Sequence, residues 1–304
     1  MLGRDPIQEG PLLASPRRSS APEGDPSSDG PLPHEPGSPR RGPTPTRRRR
    51  RRLWLGSAFG MALLALVGLN WSVAVPRGTG TATPLVTSLR DAVNALRGPP
   101  RIGLQVGHLD AAAMPAELAK LRTSTGAEAG GLEEVQVNHA IVRALAARLR
   151  SDGFRVDVFG ATVPVHYRAD LFLAVHADAS PDPGREGYKS AHFLPLRNPR
   201  DPLLKLDIDR AVLGESHLGD DDRNVSLDML KYYAFNARRF RHALARGTPG
   251  LIVEMGYLTS ARDRTYLEHP AVAAGELADG VLAYLHDVGR LPAGLPRPRS
   301  RPAP

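Results

Sequence analysis

Cysteine is absent from all 304 residues, which excludes both a disulfide framework and a thiolate zinc site. Aromatic and β-branched side chains are nearly absent from residues 1–52, a stretch crowded with Pro, Ser, Gly and Arg. Such a segment cannot bury enough apolar surface to offset the entropy of ordering, so it is expected to be a disordered tail. The tail at 290–304, RLPAGLPRPRSRPAP, has the same character. Charge is missing from a third stretch, the 23 residues from Leu53 to Val75, LWLGSAFGMALLALVGLNWSVAV. At ~1.5 Å per residue such a run crosses a ~30 Å hydrocarbon layer.

Arg47 to Arg52 abut the N-terminal side of that run, and Trp54 and Trp71 lie near its ends. Basic flanks stay in the cytoplasm and Trp favours the interface, so the expected topology is single-pass in the cell membrane. Residues 1–52 would then be cytoplasmic and everything after 75 extracytoplasmic. A cleaved signal peptide is the rival reading, but its apolar region ordinarily runs only ~7–15 residues. Arg51-Arg52 also admits a twin-arginine address. The formal charge of +8 does not point to nucleic acid: residues 1–52 carry 11 Lys and Arg against 6 Asp and Glu, placing +5 beside the expected membrane. A Pro-rich tail of this kind also suits a cytoplasmic docking partner.

Residues 101–289 suffice for one sizeable core, preceded by a linker or stalk over 76–100 that includes PLVTSLRDAVNALR. Within them four short stretches close on residues with chemical capability: RIGLQVGH on His108, GLEEVQVN on Glu134, ADLFLAVHAD on His176 and TPGLIVEMGYLTS on Glu254. Three are apolar runs of strand length that end on a polar residue, as when buried parallel strands deliver groups to the carboxyl edge of an α/β sheet. The fourth opens a helix. Two imidazoles and a carboxylate, with a second carboxylate held back, meet the needs of a catalytic zinc site with an open position for water.

Periodicity predicts strands near 101–107, 154–159, 170–176, 187–194 and 250–256, and helices near 114–123, 134–151, 202–214, 227–242, 260–268 and 270–287. In the second helix Val135, Asn138, Ile141, Val142, Leu145 and Leu149 share one face, and Gly153 ends it. The expected fold is α/β: a mostly parallel twisted sheet with helices on both faces, in a single catalytic domain behind one transmembrane helix.

The four motifs, in their order and spacing over about 101–288, resemble the zinc-dependent N-acetylmuramoyl-L-alanine amidases of the amidase_3 type, which are cell-wall hydrolases. The resemblance implies zinc ligands at His108, Glu134 and His176 and a catalytic acid/base at Glu254. Glu134 is preferred to Glu133 because the family spacing runs Glu-x-x-x-Asn and Asn138 lies four residues on. It further implies that the substrate is peptidoglycan, cleaved between N-acetylmuramic acid and L-alanine. The chain departs from the family where Gln105-Val106-Gly107-His108-Leu109-Asp110 stands for Asp-Pro-Gly-His-Gly-Gly, and where Asp178 replaces the usual Asn. Asp178 reads either as a turn cap or as a partner orienting a ligand. The stretch from Arg223 to His242 reads either as an amphipathic helix with a solvated basic face or as a wall of the substrate groove, with Arg223 and Asn224 the candidate contacts. His139, His166, His192, His217, His242, His269 and His286 read as structural or solvated. Two other functions fit the same motifs: a zinc peptidase or amidase acting on another substrate, and a non-catalytic peptidoglycan-binding domain.

Overall fold

The central strand segments at 101–106, 171–178 and 250–257 are rich in apolar residues and must be covered on both faces, while the edge segments at 155–159 and 189–191 are shorter and more polar; together they pair into one five-stranded sheet. The computed structural model describes residues 92–182, 184–215 and 218–295. The expected tail at 1–52, the run at 53–75 and most of the linker and C-terminal tail lie outside them. Among the described residues no helix is long and apolar enough to cross a membrane.

The strands are β1 (Arg101–Val106), β4 (Arg155–Phe159), β5 (Leu171–Asp178), β6 (Lys189–Ala191) and β7 (Gly250–Tyr257), ordered β4-β1-β5-β7-β6. The first four in that order are parallel, and only the short edge strand β6 runs antiparallel. A two-residue ribbon, β2 (Glu128–Ala129) with β3 (Leu132–Glu133), leads into the first long helix. The helices are α1 (Glu134–Ser151), α2 (Asp201–Glu215), α3 (Leu227–Leu230), α4 (Ala261–Leu267) and α5 (Pro270–Asp287).

The two faces of this sheet are covered differently. Alternation along the strands sends Ile102, Leu104, Val106, Leu171, Leu173, Val175, Leu251 and Val253 to one side. There they meet Ile141 and Leu145 of α1, Ile208 of α2 and Leu277 and Val281 of α5 in a single, mostly aliphatic core. The other side carries Phe172, Ala174 and Ile252, packed under Met114, Leu118, Val163, Tyr233, Phe235 and Leu244. Those residues come from 3-10 turns and irregular segments, so the expectation of helices on both faces is corrected: the long helices form one layer and loops form the other.

Two predicted helices account for the difference. The stretch at 114–123 forms a 3-10 segment, Ala116–Leu121, kinked at Leu118. The stretch at 227–242 stops being α-helical after Leu230, gives one 3-10 turn over Tyr233–Phe235, and continues without regular structure. Its aromatics are drawn in separate directions to cover the sheet, a tertiary demand that one helical stripe cannot meet. Most other elements fall within a residue or two of the reading, but the strand expected at 187–194 is only Lys189–Ala191, and Val137 rather than Val135 joins the buried face of α1. α1 starts at Glu134 and ends before Gly153, whose φ of 86° suits glycine.

The boundary at 289 also moves. Arg290 is buried, and its guanidinium donates to Asp170 Oδ1 at 2.9 Å, Asn94 Oδ1 at 3.1 Å and the Gly98 carbonyl at 3.2 Å. The helical turn over 92–97 and the chain after α5 are therefore tied to the sheet, and the C-terminal tail does not begin at Arg290.

Candidate metal centre

Strand alternation decides where the polar groups go. Gln105, His176 and Glu254 occupy the same parity as Phe172, Ala174 and Ile252, so they belong to the loop-covered face. Parallel pairing sets His176 beside Glu254, and the antiparallel edge strand sets Lys189 on the other flank of Glu254. His108 lies just past β1 with φ of 63°, a left-handed conformation that costs a non-glycine residue energy and turns its ring back over the sheet end. Glu134 comes from the first turn of α1.

These elements bring His108, Glu134 and His176 together, with one candidate ligand atom from each lying within 4.8 Å of the others. Among the described residues this is the one group of His, Asp and Glu that converges in this way. Glu134 Oε1 is 3.3 Å from His108 Nε2 and 3.1 Å from His176 Nδ1. The imidazoles meet edge to face, with centroids 4.8 Å apart. Glu133, the neighbouring acid, is exposed, and it is Glu134 that converges with the two histidines. Asn138 supports it one helical turn on, donating to Glu134 Oε1 at 3.1 Å, while Ala127 N donates to Oε2 at 2.9 Å. Gly107 is required by contact: a Cβ there would lie 2.5 Å from the His176 ring.

The donor set suits a cation. His108 Nδ1 is 2.8 Å from the Ser124 carbonyl, which can only accept, so the proton sits on Nδ1 and Nε2 presents a lone pair to the carboxylate. Two acceptors at 3.3 Å repel unless a proton or a cation lies between them. Burial opposes a charged His108, yet the Glu134 carboxylate and the Ser124 carbonyl raise its pKa above the ordinary value. Burial likewise opposes the Glu134 anion, but both histidines hold it well below the usual carboxylate range. Glu254 differs: its Oε2 is shut off from solvent and has no hydrogen-bond partner among the described residues. Burial first, then the Glu134 and Asp178 carboxylates, push Glu254 well above the usual range, against the opposing Lys189 cation. Positive charge brought to the three ligands would draw that carboxyl back toward its ionised form. Two nitrogens and one oxygen from His108, His176 and Glu134, with no sulfur, fit zinc with an open position.

The remaining sequence candidates fall around this centre. Asp178 pairs with Lys189 and accepts from Ala179 N at 2.7 Å, so it orients neither histidine. Arg223 is exposed, its side chain reaching Asp221 at 3.4 Å, and Asn224 bonds to Asp221 while its carbonyl accepts from Lys189 at 3.3 Å. Neither reaches the ligand group. Lys189, unnoticed in the sequence, is buried and also donates to Tyr257 at 2.8 Å. Its neighbours Tyr188 and Ser190 give no signal in the sequence that sets this lysine apart, because its place beside Glu254 comes from strand pairing. Gln105, noted only as a departure from the family, and Tyr232, inside the stretch read as a possible groove wall, were not singled out, yet Tyr232 Oη lies 3.2 Å from His176 Nε2 and 2.9 Å from Gln105 Oε1. Of the histidines read as structural, His242 bonds Glu117 at 2.7 Å, and His217 lies outside the described residues.

No protein-family model matches the chain, and no curated protein does. Solved structures that match the chain include N-acetylmuramoyl-L-alanine amidases. AmiC2 of Nostoc punctiforme shares 19% identity, covering 62% of this chain and 98% of that one, at a TM-score of 0.44. Ami1 of Mycobacterium smegmatis shares 15%, covering 62% and 97%, at 0.47. The catalytic domain of CwlV from Bacillus (Paenibacillus) polymyxa var. colistinus shares 13%, covering 62% and 98%, at 0.44. At such identities and scores the likeness carries no activity over to this chain.

Proposed function

We propose that the chain is a zinc hydrolase that cleaves the amide between N-acetylmuramic acid and L-alanine in peptidoglycan. The observation that carries the hydrolase reading is the meeting of His108 Nε2, His176 Nδ1 and Glu134 Oε1, with Glu254, whose Oε2 is buried without a hydrogen-bond partner among the described residues, on the neighbouring strand. The choice of amide rests on the motif resemblance. His108, His176 and Glu134 would hold the ion. Bound there, zinc would supply a Lewis acid for the scissile carbonyl and acidify the attacking water.

The rest of the chemistry belongs to the chain. Glu254 accepts the proton of the attacking water and returns it to the amine nitrogen as the C–N bond breaks. Its burial favours both halves of that cycle, because a carboxyl with a raised pKa holds the proton until the leaving group takes it. Lys189, held by Asp178 and Tyr257, keeps a fixed positive charge beside Glu254 and limits that rise. Asn138 and Ala127 N keep the Glu134 oxygens aimed at the ligand position.

The Arg47–Arg52 cluster and the uncharged run at 53–75 support anchoring in the cell membrane, with residues 1–52 inside and the hydrolase beside the wall. Protease added to intact spheroplasts would then remove the C-terminal region and spare the N-terminal tail. For the reaction itself, purified peptidoglycan is digested with the full-length chain and zinc, and the products are read by mass spectrometry. Free stem peptides beginning with L-alanine are the expected result. Cleavage only within peptides would replace the amidase reading with a peptidase, and no cleavage would leave a binding domain.

A further inference from the structure

We infer that Gln105 and Tyr232 are positioning residues that lock the ring tautomer of His176, keeping Nδ1 open as a ligand atom. This rests on the metal reading above, and the hydrogen-bond chain behind it leaves each proton one place to go. The Gln105 amide nitrogen faces the Ala161 carbonyl at 3.0 Å and the Gly160 carbonyl at 3.3 Å. Carbonyls only accept, so the amide is oriented with Oε1 toward Tyr232. Tyr233 agrees: its hydroxyl donates to the Ala161 carbonyl and accepts from Gln105 Nε2 at 2.7 Å.

Gln105 Oε1 is also an acceptor only, so the 2.9 Å contact uses the single proton of Tyr232. The Tyr232 hydroxyl then meets His176 Nε2, 3.2 Å away, with a lone pair. The proton in that contact must come from the imidazole. His176 therefore carries hydrogen on Nε2, and Nδ1 turns a lone pair toward Glu134. The competing arrangement is attractive, because a proton on Nδ1 would donate to the Glu134 carboxylate at 3.1 Å and plug the ligand position. Fixing the far nitrogen of a metal-binding imidazole through an acceptor is a general means of choosing its tautomer. Here that acceptor is a tyrosine whose own proton is pinned by a glutamine from the strand leading to His108. Tyr232 also abuts the His176 ring at 5.8 Å, so tautomer and tilt are set together.

The test uses the full-length chain with ¹⁵N-labelled histidine, together with Tyr232→Phe, Gln105→Leu and, as a control, Tyr233→Phe. At a pH where the ring is neutral, the His176 nitrogens of the zinc-free wild type should report a proton on Nε2 and none on Nδ1. Tyr232→Phe removes the acceptor, and Gln105→Leu frees Tyr232 to donate to the ring. Both should move the proton toward Nδ1 and weaken zinc binding about 10- to 100-fold in chelator competition. Tyr233→Phe touches Gln105 but not His176, and should leave tautomer and affinity near wild type. A proton on Nδ1 in the wild type would overturn the inference, as would a Tyr232→Phe chain with unchanged tautomer and affinity. A wild type that binds no zinc but keeps Nε2 protonated would sink the metal reading while leaving the tautomer lock standing.

Discussion

On one face of the sheet Ile102, Leu173, Val175 and Val253 lie under three long helices and contribute only apolar contact. On the other, the same strands carry Gln105, His176 and Glu254 under loops and 3-10 turns. The first face can be close-packed because its partners are regular and aliphatic. The second must leave room for donors and acceptors, and loops supply backbone groups that a helix has already paired, such as the carbonyls of Ser124, Gly160 and Ala161. Strand parity thus confines the polar groups of β1, β5 and β7 to the loop-covered face, which keeps an apolar cluster of its own, and Glu134 joins them from the first turn of α1.

That separation can be broken most severely at the ligands. The His108→Ala, His176→Ala double variant should hold no zinc, against one ion per wild-type chain by metal analysis. Stoichiometric zinc in the double variant would remove the centre from this face. Next in size is Glu254→Gln, which keeps shape and metal but deletes the proton acceptor. Release of stem peptides should fall by at least ~10², with zinc content unchanged. Near-normal turnover would reduce Glu254 to a structural carboxylate.

The helix face should respond in the opposite sense. Ile141→Ala in α1 leaves a cavity among fully buried aliphatics and should lower stability by about 2–5 kcal/mol in denaturant titration. Zinc affinity in the folded fraction should not change, and a large affinity loss would show that the faces are coupled. The smallest effect concerns a latch on the loop face. Glu117 accepts from Arg241 N at 3.0 Å and His242 N at 2.8 Å, and those backbone bonds pull its pKa down to about 2 from 4.5. A depressed carboxylate stabilises the fold above its unfolded value, so this contribution should fade as pH falls from 4.5 toward about 2. Glu117→Gln should therefore be less stable than wild type near pH 6, with the gap closing in acid. A gap independent of pH would mean the charge has no part in holding the 241–242 segment.

Much of this molecule is legible in its sequence because the signals are local. Apolar runs ending on His176 and Glu254, the stripe of α1 with Gly153 behind it, and the first-turn Glu134 are each contained in fewer than twenty consecutive residues. Backbone pairing and helical periodicity act at that range, so the central strands and the long helices follow from it, while the roles expected of the four motif residues came from the family resemblance. What only the tertiary structure decided depends on contacts between distant segments. The stretch after Leu230 looks helical by itself, yet it breaks because Tyr232, Tyr233 and Phe235 must cover β1 and β5. Gln105 and Tyr232 meet across 127 residues, and Lys189 reaches Tyr257 across 68. Asp178, credible beside a ligand in one dimension, is claimed by that lysine instead. Residue type and local spacing determined which side chains can bind a metal; three-dimensional pairing of acceptors with donors decided which neighbours aim them, because a hydrogen bond acts over ångströms and is indifferent to distance along the chain.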